Sequence, residues 1–243
     1  MKSNPRMLYG AAAALFWLGV WELAARLLDL PFAIPTVGAT AAVLLGLIRT
    51  AAFWQTIGAS LARIVAGLLL GTLLGAVLAL LCTRSRLLCA AIRPAQRVIR
   101  CTPVASFIMV LWIVAGRDAV PTAIAVLMVM PVIWQGLMDG YARLDPQLDE
   151  VVRVFSASPA QRLVMYVIPG LRAPFLTAFM TAAGLAWKSG IAAEIIAYTA
   201  GSIGREIANA RNLFNGAEMM AWTVCVVVMS LVIEWLIGLA RKK

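Results

Sequence analysis

The chain has 243 residues, 63% of them hydrophobic and 13% charged, with a mean hydropathy of +0.91. Soluble domains run at about 45–50% apolar and about 25% charged residues, so the composition excludes an ordinary soluble domain and predicts a membrane protein. Histidine is absent, which removes histidine metal sites, Ser-His-Asp triads and Cys-His pairs, and the cysteines, Cys82, Cys89, Cys101 and Cys225, show no CxxC spacing and read as free apolar thiols.

A helix crossing a bilayer needs about 20 apolar residues. The first such run covers residues 8–28. It is longer than the roughly 7–15 residues of a signal-peptide core and lacks a small-residue cleavage site, so it is expected to stay as a spanning helix. Residues 34–54 are apolar but contain Pro35, Gly38 and Arg49, and Thr36 is placed to cap a helix. This segment is expected to lie along the outer surface. Further spans are expected at 57–82, 101–116, 119–140, 170–198 and 219–239, six in all. The fold class is therefore all-α, a polytopic membrane protein with one domain over residues 1–243.

Two of these spans leave a choice open. Only Gly116, Arg117 and Asp118 separate the third from the fourth, and Pro103, Pro121 and Pro131 interrupt them, so one long kinked segment is the alternative. The second span carries Gly67, Gly71 and Gly75 at four-residue steps, a doubled GxxxG that predicts close packing against another helix. Residues 200–218 place Ile203, Ile207, Ala210 and Phe214 at helical spacing, which predicts an amphipathic helix at the membrane interface.

Charge placement sets the orientation. With both termini inside, the outer side receives Arg26, Arg49, Arg117, Arg205 and Arg211, the spans hold Arg63 and Lys188, and the other fourteen of the 21 basic residues fall inside. That is the positive-inside pattern. The formal charge of +10 thus reflects topology, and no nucleic-acid partner is expected.

Residues 144–170, LDPQLDEVVRVFSASPAQRLVMYVIPG, interrupt the apolar runs on the inner side. Asp145-Pro146 fits a cap followed by proline at the first helical position. Leu144, Leu148, Val151 and Phe155 then share a face, with Asp149 and Glu150 toward the positive helix start and Arg153 toward its end. Ser158-Pro159-Ala160-Gln161 is a second start, a capping box that opens a helix toward Pro169. The result is a helical elbow, either floating at the lipid interface or docking a cytoplasmic partner.

The same residues resemble the EAA loop of ABC importer permeases, written E-A-A-x3-G-x9-I-x-L-P. Glu150 and Pro169 match that pattern, Val151 and Val152 replace the alanines, Ser156 stands at the glycine, and Tyr166 and Ile168 stand at the isoleucine and leucine. Residues 34–81, 92–136 and 185–196 are similar to the nitrate, sulfonate and taurine group of these permeases, so the resemblance covers nearly the whole chain. It implies a type I importer fold in the bacterial inner membrane, with a second permease subunit, here a homodimer. It also implies two cytoplasmic ATPase subunits and an extracytoplasmic solute-binding protein. Asp149, Glu150, Val152, Arg153, Phe155, Ser156, Ala157, Ser158 and Pro159 would dock the ATPase. The sequence has no G-x-x-x-x-G-K-[ST] phosphate loop, so the chain is expected to be no enzyme and to hold no cofactor, ATP and Mg being bound by the partner.

Ionisable residues within spans are costly and usually face protein or water. Thr177, Thr181, Gly184 and Lys188 share one face of the fifth span, a small polar stripe ending in a cation. They are candidates for the translocation path, together with Trp187 and Glu194. The competing reading makes Lys188 half of a structural ion pair with Glu22 or Glu234 and Trp187 a packing residue. Two other classes make different predictions. A secondary transporter predicts inverted repeats with broken helices, which the sequence does not display. A membrane enzyme predicts clustered carboxylates or a nucleophile motif, and neither is present.

Overall fold

A computed structural model describes residues 5–154 and 158–241, and among them the only regular structure is helical. In chain order the helices are α1 (Pro5–Leu28), α2 (Val37–Ile48), α3 (Ala51–Arg84), α4 (Arg86–Cys101), α5 (Val104–Ala115), α6 (Val120–Ala142), α7 (Pro146–Val154) and α8 (Pro159–Arg162). A π-helical turn (Leu163–Val167) leads into α9 (Ile168–Ala197), followed by α10 (Ile203–Asn212) and α11 (Gly216–Arg241).

The centre of the molecule is α6, packed between α3 and α9. The glycine repeat of α3 makes this possible. A Cβ on Gly67 would lie 2.5 Å from the Cβ of Ala125, and one on Gly71 would lie 2.8 Å from that of Val129. Backbones this close gain dispersion contacts where lipid offers no hydrophobic drive. On the other side of α6, Gly136 meets Ala178 of α9 in the same way. Ile124, Val129 and Ile133 of α6 and Ala182 and Ala186 of α9 are fully buried in consequence.

The expected count of six spans is not reproduced. Among the described residues four helices are long and apolar enough to cross a membrane: α3, α6, the continuous helix Ala160–Ala197, and Gly216–Leu239 within α11. The α4–α5 pair, bent by 103°, adds at most one broken span. The bend bears on the third expected span; the first, residues 8–28, falls within the single 24-residue helix α1, which is not among these four. Pro103 drives the residue before it out of the helical region, and Thr102 sits at φ −79°, ψ 131°. The third expected span is therefore centred on a helix of 12 residues, about 18 Å long against about 30 Å of hydrocarbon, and crosses at most as part of the broken pair. Gly116, at φ 77°, ends α5, a conformation that suits a residue without Cβ. The chain is thus broken between α5 and α6 rather than running as one kinked segment.

The caps follow local chemistry. Thr36 Oγ1 accepts from Ala39 N at 3.2 Å and starts α2, as expected. Thr50 starts α3 the same way, so that helix begins well before residue 57. The N-terminal helix is tied to α2 by Trp21 Nε1, which donates to Pro35 O at 3.0 Å, and by Val37 N, which donates to Glu22 Oε2 at 2.9 Å.

The outer loop carries the expected helix, α10, and its apolar face packs against α9 and α11. Ile203 and Ala210 are buried at 0% and 1% exposure. Phe214 lies past the helix end at φ 54° and is exposed. Small residues explain the burial: a Cβ on Gly204 would lie 2.4 Å from the Cβ of Glu194.

Candidate functional site: the elbow and the open face of α9

The elbow forms as its capping residues dictate. Asp145 Oδ1 accepts from Gln147 N at 2.9 Å and starts α7. Ser158 Oγ accepts from Gln161 N at 3.3 Å, while Ser158 N donates to Gln161 Oε1 at 2.8 Å, the reciprocal pairing of a capping box. Phe155, Ser156 and Ala157 lie outside the described residues. Arg153 sits on α7 and Pro159 opens α8.

Two contacts fasten α7 to the helix that follows. Arg162 Nε lies 2.5 Å from Asp149 Oδ1, and Tyr166 Oη donates to the Asp145 carbonyl at 2.7 Å. Asp149 is therefore turned toward the elbow's own interior. Glu150 is exposed and Val152 half-buried; Leu148 and Val154 are exposed apolar residues on the same short helix. Such a surface, apolar with a carboxylate beside it, offers both burial and charge to a partner.

Beyond the elbow the helix does not restart at residue 170. It continues from Ala160 to Ala197 through the π-helical turn. Pro169 has no N–H to give, and Ile168 N reaches back to Leu163 O across the widened turn. A π-turn keeps the helix continuous while accommodating the missing donor. The elbow's second helix and α9 are consequently one continuous piece, to which α7 is fastened by the Asp149–Arg162 and Asp145–Tyr166 contacts.

Along α9 the expected site residues separate onto two sides. Thr177, Thr181 and Lys188 are exposed and Gly184 is half-buried, so the stripe lies on the open face. The threonine hydroxyls donate to the carbonyls of Ala173 and Thr177, each at 3.1 Å. Trp187 is 1% exposed, and its Nε1 donates to Val226 O of α11 at 3.1 Å. Glu194 is fully buried, about 120° round the helix from Lys188. Its Oε2 accepts from Ser60 Oγ at 2.9 Å and Gly204 N at 3.2 Å, and Arg63 Nη1 lies 3.7 Å from Oε1. Arg63 in turn donates through Nη2 to Ala200 O at 2.9 Å. This knot ties α3, α9 and α10 together, and burial of a carboxylate demands such partners.

Lys188 makes no ion pair with a carboxylate among the described residues; Glu22 instead pairs with Arg26 at 2.8 Å. The stripe's lower part opens into a cleft of about 670 Å³. Thr177 and Thr181 line it together with Arg100 of α4, Gln135 and Asp139 of α6, and Arg143. Gln135 Nε2 donates to Asp139 Oδ1 at 2.7 Å. Sequence reasoning missed these four residues as site candidates. Gln135 and Asp139, one helical turn apart near the end of an apolar span, were the available signal.

Comparison with known proteins agrees with this architecture. The family described as "Binding-protein-dependent transport system inner membrane component" matches residues 67–243. The nitrate import permease protein NrtB of Leptolyngbya laminosa is 29% identical over 194 residues, covering 79% of this chain and 68% of the relative. The bicarbonate transport system permease protein CmpB of Synechococcus elongatus is 30% identical over 147 residues, covering 59% of this chain and 52% of the relative, so the chain matches about half of that protein's length.

Proposed function

The chain belongs to the binding-protein-dependent transport permeases, the multi-pass inner-membrane components of ABC importers, and from that premise we propose that it moves a small oxoanion into the cell. The observation that carries this reading is the continuity of the elbow's second helix with α9. A push on α7 is transmitted through the Arg162–Asp149 pair and the unbroken helix Ala160–Ala197 to the face that bears Thr177, Thr181 and Lys188.

A separate ATPase supplies the push, because the sequence carries no phosphate loop of its own. ATP and Mg are held there. Closure of two ATPase subunits would move the elbows of two permease copies and tip the spans between outward-open and inward-open arrangements, a rigid-body switch. An extracytoplasmic binding protein delivers the solute, as the family's description supports. Both termini lie in the cytoplasm by the positive-inside bias. The anionic class of substrate is supported by the basic cleft and by two relatives named for nitrate and bicarbonate.

Co-purification tests the docking. The wild-type chain should bring down a P-loop ATPase from its own membranes. Leu148→Asp combined with Glu150→Ala should lose that association while the protein stays folded by circular dichroism. Full retention of the ATPase by the folded double variant would remove the elbow from the interface.

A further inference from the structure

Beside the larger cleft, at the same end of the molecule, a second cleft of about 340 Å³ lies between α4 and α6. Arg93, Arg97 and Arg100 line it from α4, at spacings that put all three on one helix face. Asp139 is the carboxylate among its lining residues, and its Oδ1 already accepts from Gln135 Nε2. Among the described residues none of the three arginines makes an ion pair with a carboxylate. Three cations thus converge where one carboxylate is present.

Gln96 makes the same point from inside the wall. It lines this cleft, is 2% exposed, and its Oε1 has no hydrogen-bond partner. A buried amide end without a partner is costly, and a half-turn of the amide exchanges the oxygen for an N–H donor. The Trp134 indole, also in the wall, is already committed to Cys82 Sγ at 3.3 Å. The two clefts share Arg100, Gln135 and Asp139, so the arginine face is continuous with the groove beneath Thr177 and Thr181.

We propose that the α4–α6 cleft is a binding site for a small oxoanion, held by Arg97 and Arg100 with the Gln96 amide, and that it is the last stop of the substrate on the elbow side of the path. Guanidinium groups offer paired donors that match the planar edge of an oxoanion. Gln96 completes the set: its donor end meets an oxygen, or its acceptor end meets the hydroxyl of a protonated anion such as bicarbonate. The assignment as a station on the path rests on the transport reading above, whereas the binding site itself does not.

The test uses the full chain in nanodiscs of phosphatidylcholine, with nitrate or bicarbonate titrated as sodium salts at constant ionic strength. The thermal unfolding midpoint should rise saturably with at least one of the two. Arg97→Gln combined with Arg100→Gln should weaken that response about tenfold or more, with an unchanged midpoint in the absence of added anion showing that the fold is kept. Gln96→Glu, which puts a carboxylate into the wall, should weaken it too. Equal responses in wild type and the arginine variant would overturn the site, as would stabilisation obtained only when phosphatidylglycerol is added to the disc, which would assign the arginines to lipid phosphate. Wild-type binding without ATP-driven uptake in the assembled transporter would keep the site and defeat the transport reading. Undiminished uptake by the arginine variant would keep the transport reading and remove the site from the path.

Discussion

The two ends of α9 treat charge in opposite ways. At one end Glu194 is buried, its Oε2 accepting from Ser60 and Gly204 and its Oε1 3.7 Å from the Arg63 guanidinium. At the other, Arg100 and Arg143 line an open cleft where Asp139 is the one carboxylate in the wall. Charges that neutralise one another inside the protein hold it together, and charges left facing a cleft are available to something that enters it. Lys188, six residues from Glu194 on the same helix, belongs with the second group, because it is exposed and makes no ion pair among the described residues.

Substitutions should separate these ends. Glu194→Ala leaves Arg63 without its carboxylate and Ser60 and Gly204 without their acceptor; unfolding in detergent should show a loss of about 3–5 kcal/mol. Gly71→Ala, whose new Cβ would lie 2.8 Å from that of Val129, should cost about 1–3 kcal/mol by overpacking the α3–α6 contact. Ser158→Ala removes one half of the elbow's capping box and should cost about 1 kcal/mol, with slower proteolysis in Ser158→Asp than in Ser158→Ala because aspartate restores the cap. Lys188→Met should leave the midpoint of unfolding within about 0.5 kcal/mol of wild type, while lowering anion uptake in reconstituted vesicles. A variant that unfolds as readily as Glu194→Ala would move Lys188 into the structural group.

Local chemistry made some of this readable in advance. Caps at Thr36, Asp145 and Ser158 depend on neighbours two or three residues away, so sequence spacing carries them. The glycine repeat at Gly67, Gly71 and Gly75 was legible as a packing face for a related reason: its period states that another backbone must come close. Its partner, α6, was not legible. Hydropathy did not show the 103° bend ahead of residues 104–115, because Pro103 breaks the helix without making the segment less apolar. The amphipathic pattern of α10 says that one face is buried and does not say that α9 and α11 are what buries it.

The clefts were invisible to sequence for a different reason. Arg100 comes from α4, Gln135 and Asp139 from α6, and Thr177 and Thr181 from α9, and only the packing of the three helices brings them together. Counted along the chain, Arg93, Arg97 and Arg100 were topology charges like any others. In the fold they line one wall.

The central claim is that this chain is the membrane half of an ATP-driven importer of a small anion. Uptake of labelled nitrate or bicarbonate into proteoliposomes, with the co-purifying ATPase and the binding protein present, tests it most directly. Accumulation should require ATP and Mg and should stop when the ATPase is omitted or when Leu148→Asp/Glu150→Ala uncouples the elbow. Accumulation driven by an ion gradient with no ATPase present would contradict it.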